Sequence, residues 1–402
     1  MSRHPRGFTL IELLVAMLIS AIVLVGVVAV VNAQQQAYYD GQRQREAQGN
    51  GRSALTFIEQ ALLMAGYGMD APLAFDFDRY AGPCPSAMGT CPRDSVSNSD
   101  EIVFYNRNPR YWVPDSHTAE PRGAAWRITG LAGTSVSVNA RAGDAFLKGQ
   151  ILQAVCRAAG VYAYFTVSTT TTAGADGSLS IPLLASASSD PFRRQDAATD
   201  SCFTSGEARL FLIERHRFHV RPVGTESYLV HDLGIDVNQD GTIDANDELI
   251  VAGGVEILQF AYVLTNPGLA PRGLTPGTPI AFAKGAGGSS ANGMATLDFP
   301  GTVPAGTFTY LPTSWYSYTL GPPAAAARMT DHQANIRAVQ VAIRARSTLA
   351  DTRTQGADGE QLPLFNLNAL PSWFDHNDRY GRVTFISTVP IRNMVVRGMV
   401  DF

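Results

Sequence analysis

An uninterrupted apolar run near the amino terminus constrains this chain more than any other feature. Leu13 to Val31 is nineteen residues long, and its one hydroxyl is that of Ser20. As an α-helix the run spans about 28 Å, close to the roughly 30 Å hydrocarbon core of a bilayer. Arg3, His4 and Arg6 precede it, and no charged residue interrupts it. The pattern predicts a membrane-spanning helix with a cytoplasmic amino terminus, and export of the rest of the chain.

A lone carboxylate, Glu12, lies at the edge of this run. A carboxylate is costly in lipid unless it is neutralised or paired. A signal anchor with an interfacial glutamate is one interpretation. A secretory signal cleaved after Val31-Asn32-Ala33 is another, but the run exceeds the 7–15 residues of an ordinary signal-peptide core.

Arg6-Gly7-Phe8-Thr9-Leu10-Ile11-Glu12, followed by the apolar helix, resembles a prepilin (type III) signal peptide. The resemblance implies that residues 1–7 are a leader, which a prepilin peptidase removes between Gly7 and Phe8 before the new amino group of Phe8 is methylated. Residues 8–33 then form the transmembrane and fibre-packing helix. Glu12 becomes the fifth mature residue, and we expect it to pair with the amine of a neighbouring subunit, which favours one axial register of assembly.

Residues 34–68 are predicted to carry the helix into the periplasm. Gly41, Gly49 and Gly51 each cost helix up to about 1 kcal/mol, so we expect interruptions there. Gly66 and Gly68 predict the end of the helix. Small and aliphatic side chains recur at helical spacing before that end and predict a face packed on a globular domain; they are Ala54, Leu55, Ile58, Leu62 and Ala65.

Residues 69–402 are predicted to form a β-rich globular domain. Strand patterns occur at residues 101–105, 208–220, 228–233, 255–263, 336–346 and 383–389. They do not alternate with helical patterns, so we expect an antiparallel sheet. Two regions, about 110–200 and 265–335, are interpreted as insertions. Charged residues make up 16% of the chain and the net charge is −4, which argues against nucleic-acid binding.

Three further segments are similar to PilW-type minor pilins. They are the Gly51–Leu55 and Met64–Gly68 pair at the helix end, the strand from Gly254 to Tyr262, and the closing stretch from Arg382 to Asn393. The resemblance implies an α+β, pilin-like fold, in which a long amino-terminal helix packs on an antiparallel sheet enlarged by loop insertions. It also implies a minor pilin that is anchored in the inner membrane with a periplasmic carboxyl terminus until it enters a type IV pilus. There we expect it to prime assembly and act at the tip in motility and adhesion, with other minor pilins, the major pilin and a tip adhesin as partners.

Residues 236–248 match a calcium-loop pattern. Oxygen donors stand at loop positions 1, 3 and 5, Gly241 stands at position 6, and an apolar residue stands at position 8. Position 12 is Asp247 where an EF-hand has glutamate, so the loop resembles the dockerin type. Glu248, or a water held by Asp244, is expected to complete the coordination. The expected Ca²⁺ ligands, structural in role, are Asp236, Asn238, Asp240, Thr242 and Asp247. A solvated acidic turn is the alternative.

Four cysteines allow three disulfide connectivities. We favour Cys84–Cys91 and Cys156–Cys202, because these pairings close the shortest loops. Export to an oxidising compartment favours disulfides over metal ligands.

The sequence offers no catalytic motif, so no enzymatic activity is expected. His216 and His219 are three residues apart on a predicted strand, so they face opposite sides and make a poor metal pair. Two other functions remain open. One is a minor pseudopilin of a type II secretion system, which shares the signal and helix; the other is a calcium-dependent adhesive module that the helix merely anchors.

Overall fold

The first element of the chain is a 53-residue α-helix, α1 (Leu10–Leu62). The computed structural model describes residues 9–69, 73–76, 99–107, 126–140, 142–156, 161–175, 177–187, 190, 192–193, 198, 200–224, 226–264, 279–281, 336–347 and 380–394. The helix runs without a break through Gly41, Gly49 and Gly51, so the predicted interruptions are wrong. Each glycine costs about 1 kcal/mol, whereas a break would forfeit hydrogen bonds on both sides and require a new nucleus.

Fifteen strands follow the helix in the described part of the chain. They are β1 (Ile102–Arg107), β2 (Trp126–Ala132), β3 (Ser135–Asn139), β4 (Ala145–Phe146), β5 (Ile151–Cys156), β6 (Val161–Thr166), β7 (Thr171–Thr172), β8 (Ser178–Pro182), β9 (Arg209–Val223), β10 (Glu226–Asp232), β11 (Leu249–Gly253), β12 (Val255–Leu264), β13 (Pro279–Ala281), β14 (Ile336–Arg346) and β15 (Arg382–Pro390). Short 3₁₀ turns lie at Ser201–Phe203 and Arg392–Met394. Every described strand pair is antiparallel, so the predicted α+β architecture is confirmed.

The largest sheet is built around β9, whose fifteen residues pair with four other strands. The first part of β9 pairs with β2 and β5, and the later part pairs with β1 and β10. The order across this nine-stranded sheet is β11-β10-β9-β2-β3-β8, with β1, β5 and β6 attached beside that path. A smaller sheet has the order β13-β12-β14-β15, and β4 pairs with β7.

Two large hydrophobic clusters lie at different ends of β9. The first cluster joins the last turns of α1 to β1, β10, β12 and β14, and its largest buried members include Ile58, Leu62, Phe104, Phe218 and Phe260. The second cluster lies among β2, β3, β5, β6 and β8, and it contains Trp126, Phe146, Phe165, Cys156 and Cys202. A smaller third cluster surrounds Tyr105, Tyr164 and Phe192.

The region of about 110–200, interpreted as a loop insertion, differs from that interpretation. Residues 126–182 form seven strands, β2 to β8, and supply most of the second cluster. The other predicted insertion, 265–335, lies outside the described residues except for β13. The strands predicted from alternating patterns are confirmed as β1, β9, β10, β12, β14 and β15.

The carboxyl-terminal end of α1 is fixed by residues from the far end of the chain. The Asn393 side-chain amide donates to the carbonyl oxygens of Leu63 (3.2 Å) and Ala65 (3.3 Å). These carbonyls follow the helix, where backbone acceptors lack partners within the helix. Gly66 adopts a φ of +75°, and Met394 packs against it. The end of the helix is therefore closed by the last described turn.

Gly51 marks the point where α1 crosses the smaller sheet. It is buried, and a Cβ at this position would overlap the ring of Phe385 on β15 and lie 3.2 Å from the Cβ of Ala345 on β14. A Cβ on Gly49, by contrast, would meet nothing within 4 Å. Gly51 therefore permits the close approach of helix and sheet.

We predict that Gly51→Ala lowers the free energy of unfolding of the full chain by about 1–3 kcal/mol, because the added methyl overpacks the helix–sheet contact. The matched control Gly49→Ala should raise it, by up to about 1 kcal/mol, through helix propensity alone. Chemical denaturation in detergent micelles, followed by tryptophan fluorescence, measures both. Equal effects of the two substitutions would contradict the close-packing interpretation.

Candidate functional site

The amino-terminal half of α1 exposes its apolar side chains. Exposure of the large hydrophobic residues in this stretch ranges from 44% for Val31 to 79% for Leu10. Among the described residues, α1 is the one helix long and apolar enough to span a membrane, and none of its most apolar window is buried within the chain. Burial against the domain begins further along, with Ala47 and Gly51. A bare apolar surface of this length needs lipid or other helices around it.

Glu12 closes a capping box at the start of this helix. Its carboxylate Oε2 accepts hydrogen bonds from the Thr9 backbone N–H and hydroxyl, both at 3.0 Å, and the Thr9 hydroxyl oxygen accepts from the Glu12 N–H at 3.4 Å. The carboxylate also lies in the first turn, where the helix dipole favours negative charge. The structure thus holds Glu12 at the tip of α1. The predicted cleavage residues Gly7 and Phe8 lie outside the described residues.

The predicted calcium loop connects β10 to β11, with no helix before it. Asp236 and Asp247 are its two buried members, with exposures of 1% and 7%. Asp236 accepts the N–H groups of Asp240 (3.1 Å) and Gly241 (2.9 Å). Asp247 accepts those of Val237 (2.7 Å), Asn238 (3.1 Å) and Asp244 (2.9 Å). The first and twelfth loop positions therefore organise the backbone between them.

The middle of the loop is exposed and tightly turned. Gly241 adopts a φ of +89° and Gln239 a φ of +60°, both in the left-handed region. The Asp240 carboxylate accepts from the Thr242 backbone N–H at 2.8 Å and from the Asn238 amide at 3.0 Å. Hydrogen bonds from the Thr242 hydroxyl and N–H lower the pKa of Asp240, and the Lys148 ammonium contributes. Asp240 is thus held as a carboxylate.

Lys148 is a loop contact that the sequence interpretation missed. Its backbone carbonyl accepts the Asp236 N–H at 3.0 Å, and its ammonium donates to the Gly241 carbonyl oxygen. Gly149, beside it, packs against the Gly234 carbonyl and the Ile243 side chain. The turn before β5 therefore braces the loop from the side of the second cluster. Nothing local in the sequence connects residues 148 and 241.

Glu248 is turned away from the loop centre. Its carboxylate contacts the Arg221 guanidinium and lies 3.5 Å from the His219 Nε2. Burial raises the pKa of Glu248, and Arg221 opposes that rise. The structure therefore does not bring Glu248 to the loop centre, because its oxygens face β9, and the other expected ligand, a water held by Asp244, stays a prediction.

The oxygen donors of the loop are of the kind that binds a hard cation, although they do not converge on one point. The loop holds four aspartates, and calcium prefers carboxylate, amide and carbonyl oxygens. Within the described part of the chain, one group of three acidic, histidine or cysteine side chains brings its ligand atoms within 4.8 Å of one another: Cys156, Asp200 and Cys202. The two sulfurs of that group are bonded to each other and offer no thiolate. The loop aspartates are more widely spaced, so an ion would draw the exposed Asp240 toward Asp236 and Asp247.

The predicted disulfide Cys156–Cys202 is confirmed. It joins the end of β5 to the 3₁₀ turn before β9, with Cα atoms 6.0 Å apart, inside the second cluster. Cys84 and Cys91, the other predicted pair, lie outside the described residues. As predicted, His216 and His219 face opposite sides of β9: His216 contacts His231, whereas His219 lies against Glu248.

Comparison with known protein families gives a match at the amino terminus. Residues 2–28 match the model of the prokaryotic N-terminal methylation motif. No curated protein and no solved structure matches the chain.

Three observations fall on the same amino-terminal segment: the family match, the capped Glu12 and the bare apolar half of α1. Together they support a type IV pilin or pseudopilin that prepilin peptidase processes and that assembles with other pilins. They also fit anchoring in the inner membrane.

We predict that the double substitution Cys156→Ala/Cys202→Ala lowers the free energy of unfolding by about 4 kcal/mol, the chain-entropy value for cysteines 46 residues apart. Thermal unfolding of the full chain measures the loss, with the oxidised parent as reference. Reductant should lower the midpoint of the parent by more than that of the variant, which keeps Cys84 and Cys91. A parent that is insensitive to reductant would contradict a stabilising role for this bond.

Proposed function

We propose that this chain is a minor pilin of a bacterial type IV pilus, of the PilW-like kind, which primes fibre assembly and belongs to the tip complex. The observation that carries the proposal is the division of α1 into a bare apolar half and a half packed on a large two-cluster body. The first half has the form of a fibre-packing element. The second half packs on a body that is far larger than the packing of the helix itself requires.

The size of the body favours a specialised subunit over a repeated one. The smaller sheet and α1 account for part of the first cluster, whereas β2 to β8 add a second cluster with its own disulfide. In a fibre built from identical subunits, such a body would have to be accommodated at every helical position. A place at the tip relieves that crowding and leaves the second cluster free to support a tip adhesin.

In this proposal Glu12 directs assembly and Phe8 carries the methylated amine. A carboxylate at the tip of an apolar helix is poorly solvated in a membrane, so the amine of an adjacent subunit stabilises it. The Thr9 contacts keep one Glu12 oxygen oriented along the helix start. The partners are other minor pilins, the major pilin, a tip adhesin and prepilin peptidase. The chain is a substrate of that peptidase and is not itself an enzyme.

We also propose that loop 236–248 binds Ca²⁺ as a structural ion. Asp236, Asn238, Asp240 and Asp247 supply side-chain oxygens, and Thr242 supplies its carbonyl oxygen. The four aspartates of one loop repel one another, and a divalent ion relieves that repulsion. The ion would fasten the β10–β11 connection to the turn at Lys148, whose carbonyl oxygen and ammonium already contact the loop.

We predict that Glu12→Ala abolishes incorporation of the chain into fibres while leaving cleavage after Gly7 intact, because the charge pairing is lost and the cleavage site is not. Immunoblotting of sheared pili and mass spectrometry of the amino terminus measure the two outcomes. Asp40→Asn, which removes an exposed carboxylate from the same helix outside the apolar stretch, is the matched control and should assemble normally. Normal assembly of Glu12→Ala would instead favour an adhesive module that the helix merely anchors.

Deletion of the gene separates the pilus from its nearest alternative. We expect loss of surface pili and twitching motility with unchanged exoprotein secretion. Loss of secretion with intact pili would assign the chain to a type II secretion system as a minor pseudopilin. Absence of the chain from sheared fibres and their tips would overturn the minor-pilin proposal.

We predict that Ca²⁺ at about ten times its Kd stabilises the full chain by about 1.4 kcal/mol. Calcium-loop affinities of extracellular modules place that Kd at about 0.1–1 mM. Differential scanning fluorimetry in detergent, with CaCl₂ against EGTA, measures the shift in Tm. Asp236→Asn and Asp240→Ala should remove it, whereas Glu226→Gln, a carboxylate loss on β10 outside the loop, should keep it. A parent Tm that is the same in both media would refute the site.

A further inference from the structure

Two histidines form a buried pair that the pilin proposal does not use. His216 on β9 and His231 on β10 lie on one face of the larger sheet, because the register sets His231 opposite Phe218, two residues from His216. The Nδ1 of His216 is 3.0 Å from the Nε2 of His231, and the ring planes differ by 8°. The exposures of the two residues are 9% and 7%.

Aromatic rings enclose the pair and connect it to α1. Phe104 on β1 stacks on His216, with centroids 5.1 Å apart, and Phe218 stacks on His231 at 4.6 Å. Phe57, five residues before the end of the helix, packs edge-on against His231 at 5.5 Å and against Phe218 at 5.9 Å. The pair therefore lies in the contact between the end of α1 and the sheet.

Only one hydrogen atom fits between the two facing nitrogens. One imidazole nitrogen must donate and the other must accept, so the contact survives while at most one of the two rings is charged. If both rings are protonated, both facing nitrogens carry hydrogens and the 3.0 Å contact is repulsive. Two adjacent cations among phenylalanine rings also lack water to solvate them.

The charged groups around the pair do not offset a second proton. Glu214 on β9 is 3.6 Å from the His216 Nε2, so one carboxylate faces that ring from its own strand. Asp232 follows His231, but it is bound by Arg215 at 2.7 Å and Arg217 at 3.3 Å. The helix presents the uncharged Phe57, β1 presents Phe104, and β11 presents Ala252 opposite Leu229. On β12, Glu256 is paired with Arg382 and Arg346.

We propose that the His216–His231 pair is an acid-sensitive latch that holds the end of α1 on the sheet and weakens when the medium becomes acidic. The neutral or singly charged pair keeps its hydrogen bond and the flat surface on which Phe57 rests. Entry of the second proton separates the rings and loosens the helix end. The inference concerns the body of the protein, so it stands independently of the pilus in which the chain functions.

The direction of the effect follows from where the proton binds. Burial, then the adjacent His216, lower the pKa of His231 to about 3, whereas a solvated histidine titrates near 6.5. Above pH 6.5 both the docked and the undocked states are neutral at His231. Between pH 6.5 and about 3, only the undocked state gains the proton, so docking weakens as the pH falls.

Hydrogen exchange of the full chain in detergent tests the latch. From pH 6.5 to 4.5, we expect the protection factors of amides in residues 54–62 to fall by up to about 50-fold, the ratio set by those two pKa values. Amides of β5 in the second cluster should keep their protection. A parallel loss in β5 would indicate general acid unfolding and overturn the proposal.

A non-titrating pair gives the matched variant. His216→Asn/His231→Gln places an amide nitrogen or oxygen near each facing ring nitrogen, so it can keep one hydrogen bond without binding a proton in this range. Its helix protection should change less than threefold between pH 6.5 and 4.5. His219→Gln removes another buried histidine, from the opposite face, and should retain the parent response. A parent-like response of the double variant would overturn the latch.

A measurement on the unmodified chain keeps the test decisive if the double variant does not fold. NMR of ¹³C-labelled histidine should show His231 neutral at pH 5, with its facing nitrogen in a hydrogen bond to His216. Titration of His231 near pH 6.5 without a change in helix protection would refute the proposal.

Discussion

The contact of α1 with the sheets at Gly51 and Phe57 is the constraint on which the rest of the structure depends. The helix is 53 residues long, yet only its last few turns pack on the body. Those turns have to hold the projecting apolar half of α1 in a defined direction. Close approach at Gly51 supplies one fixed point on β15, and the aromatic contacts of Phe57 supply another on β9 and β10. Without both, the helix would have no defined angle to the domain.

The two faces of β9 contact different parts of the body. Its even-numbered residues His216 and Phe218 face α1, whereas Arg217 and His219 face the side that carries Glu101 and Glu248. Burial opposes ionisation of Asp232, but Arg215, the Gly234 N–H and Arg217 together lower its pKa. Buried charges of this kind are retained only with partners. The charged face therefore fixes the start of the β10–β11 connection, from which the calcium-type loop emerges.

Sequence patterns predicted those features that are determined by residues close together in the chain. Glu12 stands out because it lies at the start of an apolar run, and loop 236–248 because its oxygen donors recur at fixed spacing. The alternation of apolar and polar residues predicted the long strands β9 and β14. Strands β2 to β8 were not predicted, since they are short and two of them span only two residues. The close approach of α1 to the sheet at Gly51 involves Phe385, more than 300 positions away, and no local rule contains that contact.

The paired sites depend on register in the same way. His216 and His231 meet only because β9 and β10 are joined with Val223 opposite Glu226. Lys148 reaches the loop only because the second cluster places its turn beside Gly234. In both cases the residue types were visible in the sequence, but the distances between them were not.

The hydrogen bonds from Asn393 to the carbonyls of Leu63 and Ala65 have a consequence for the timing of folding. They join positions 330 and 328 residues apart, nearly the whole chain. Contacts of such separation form late, because a large loop has to close first. Until residue 393 has been synthesised, the end of α1 therefore lacks its final closure. The packed half of the helix is thus completed later than the apolar half, whose hydrogen bonds are all local.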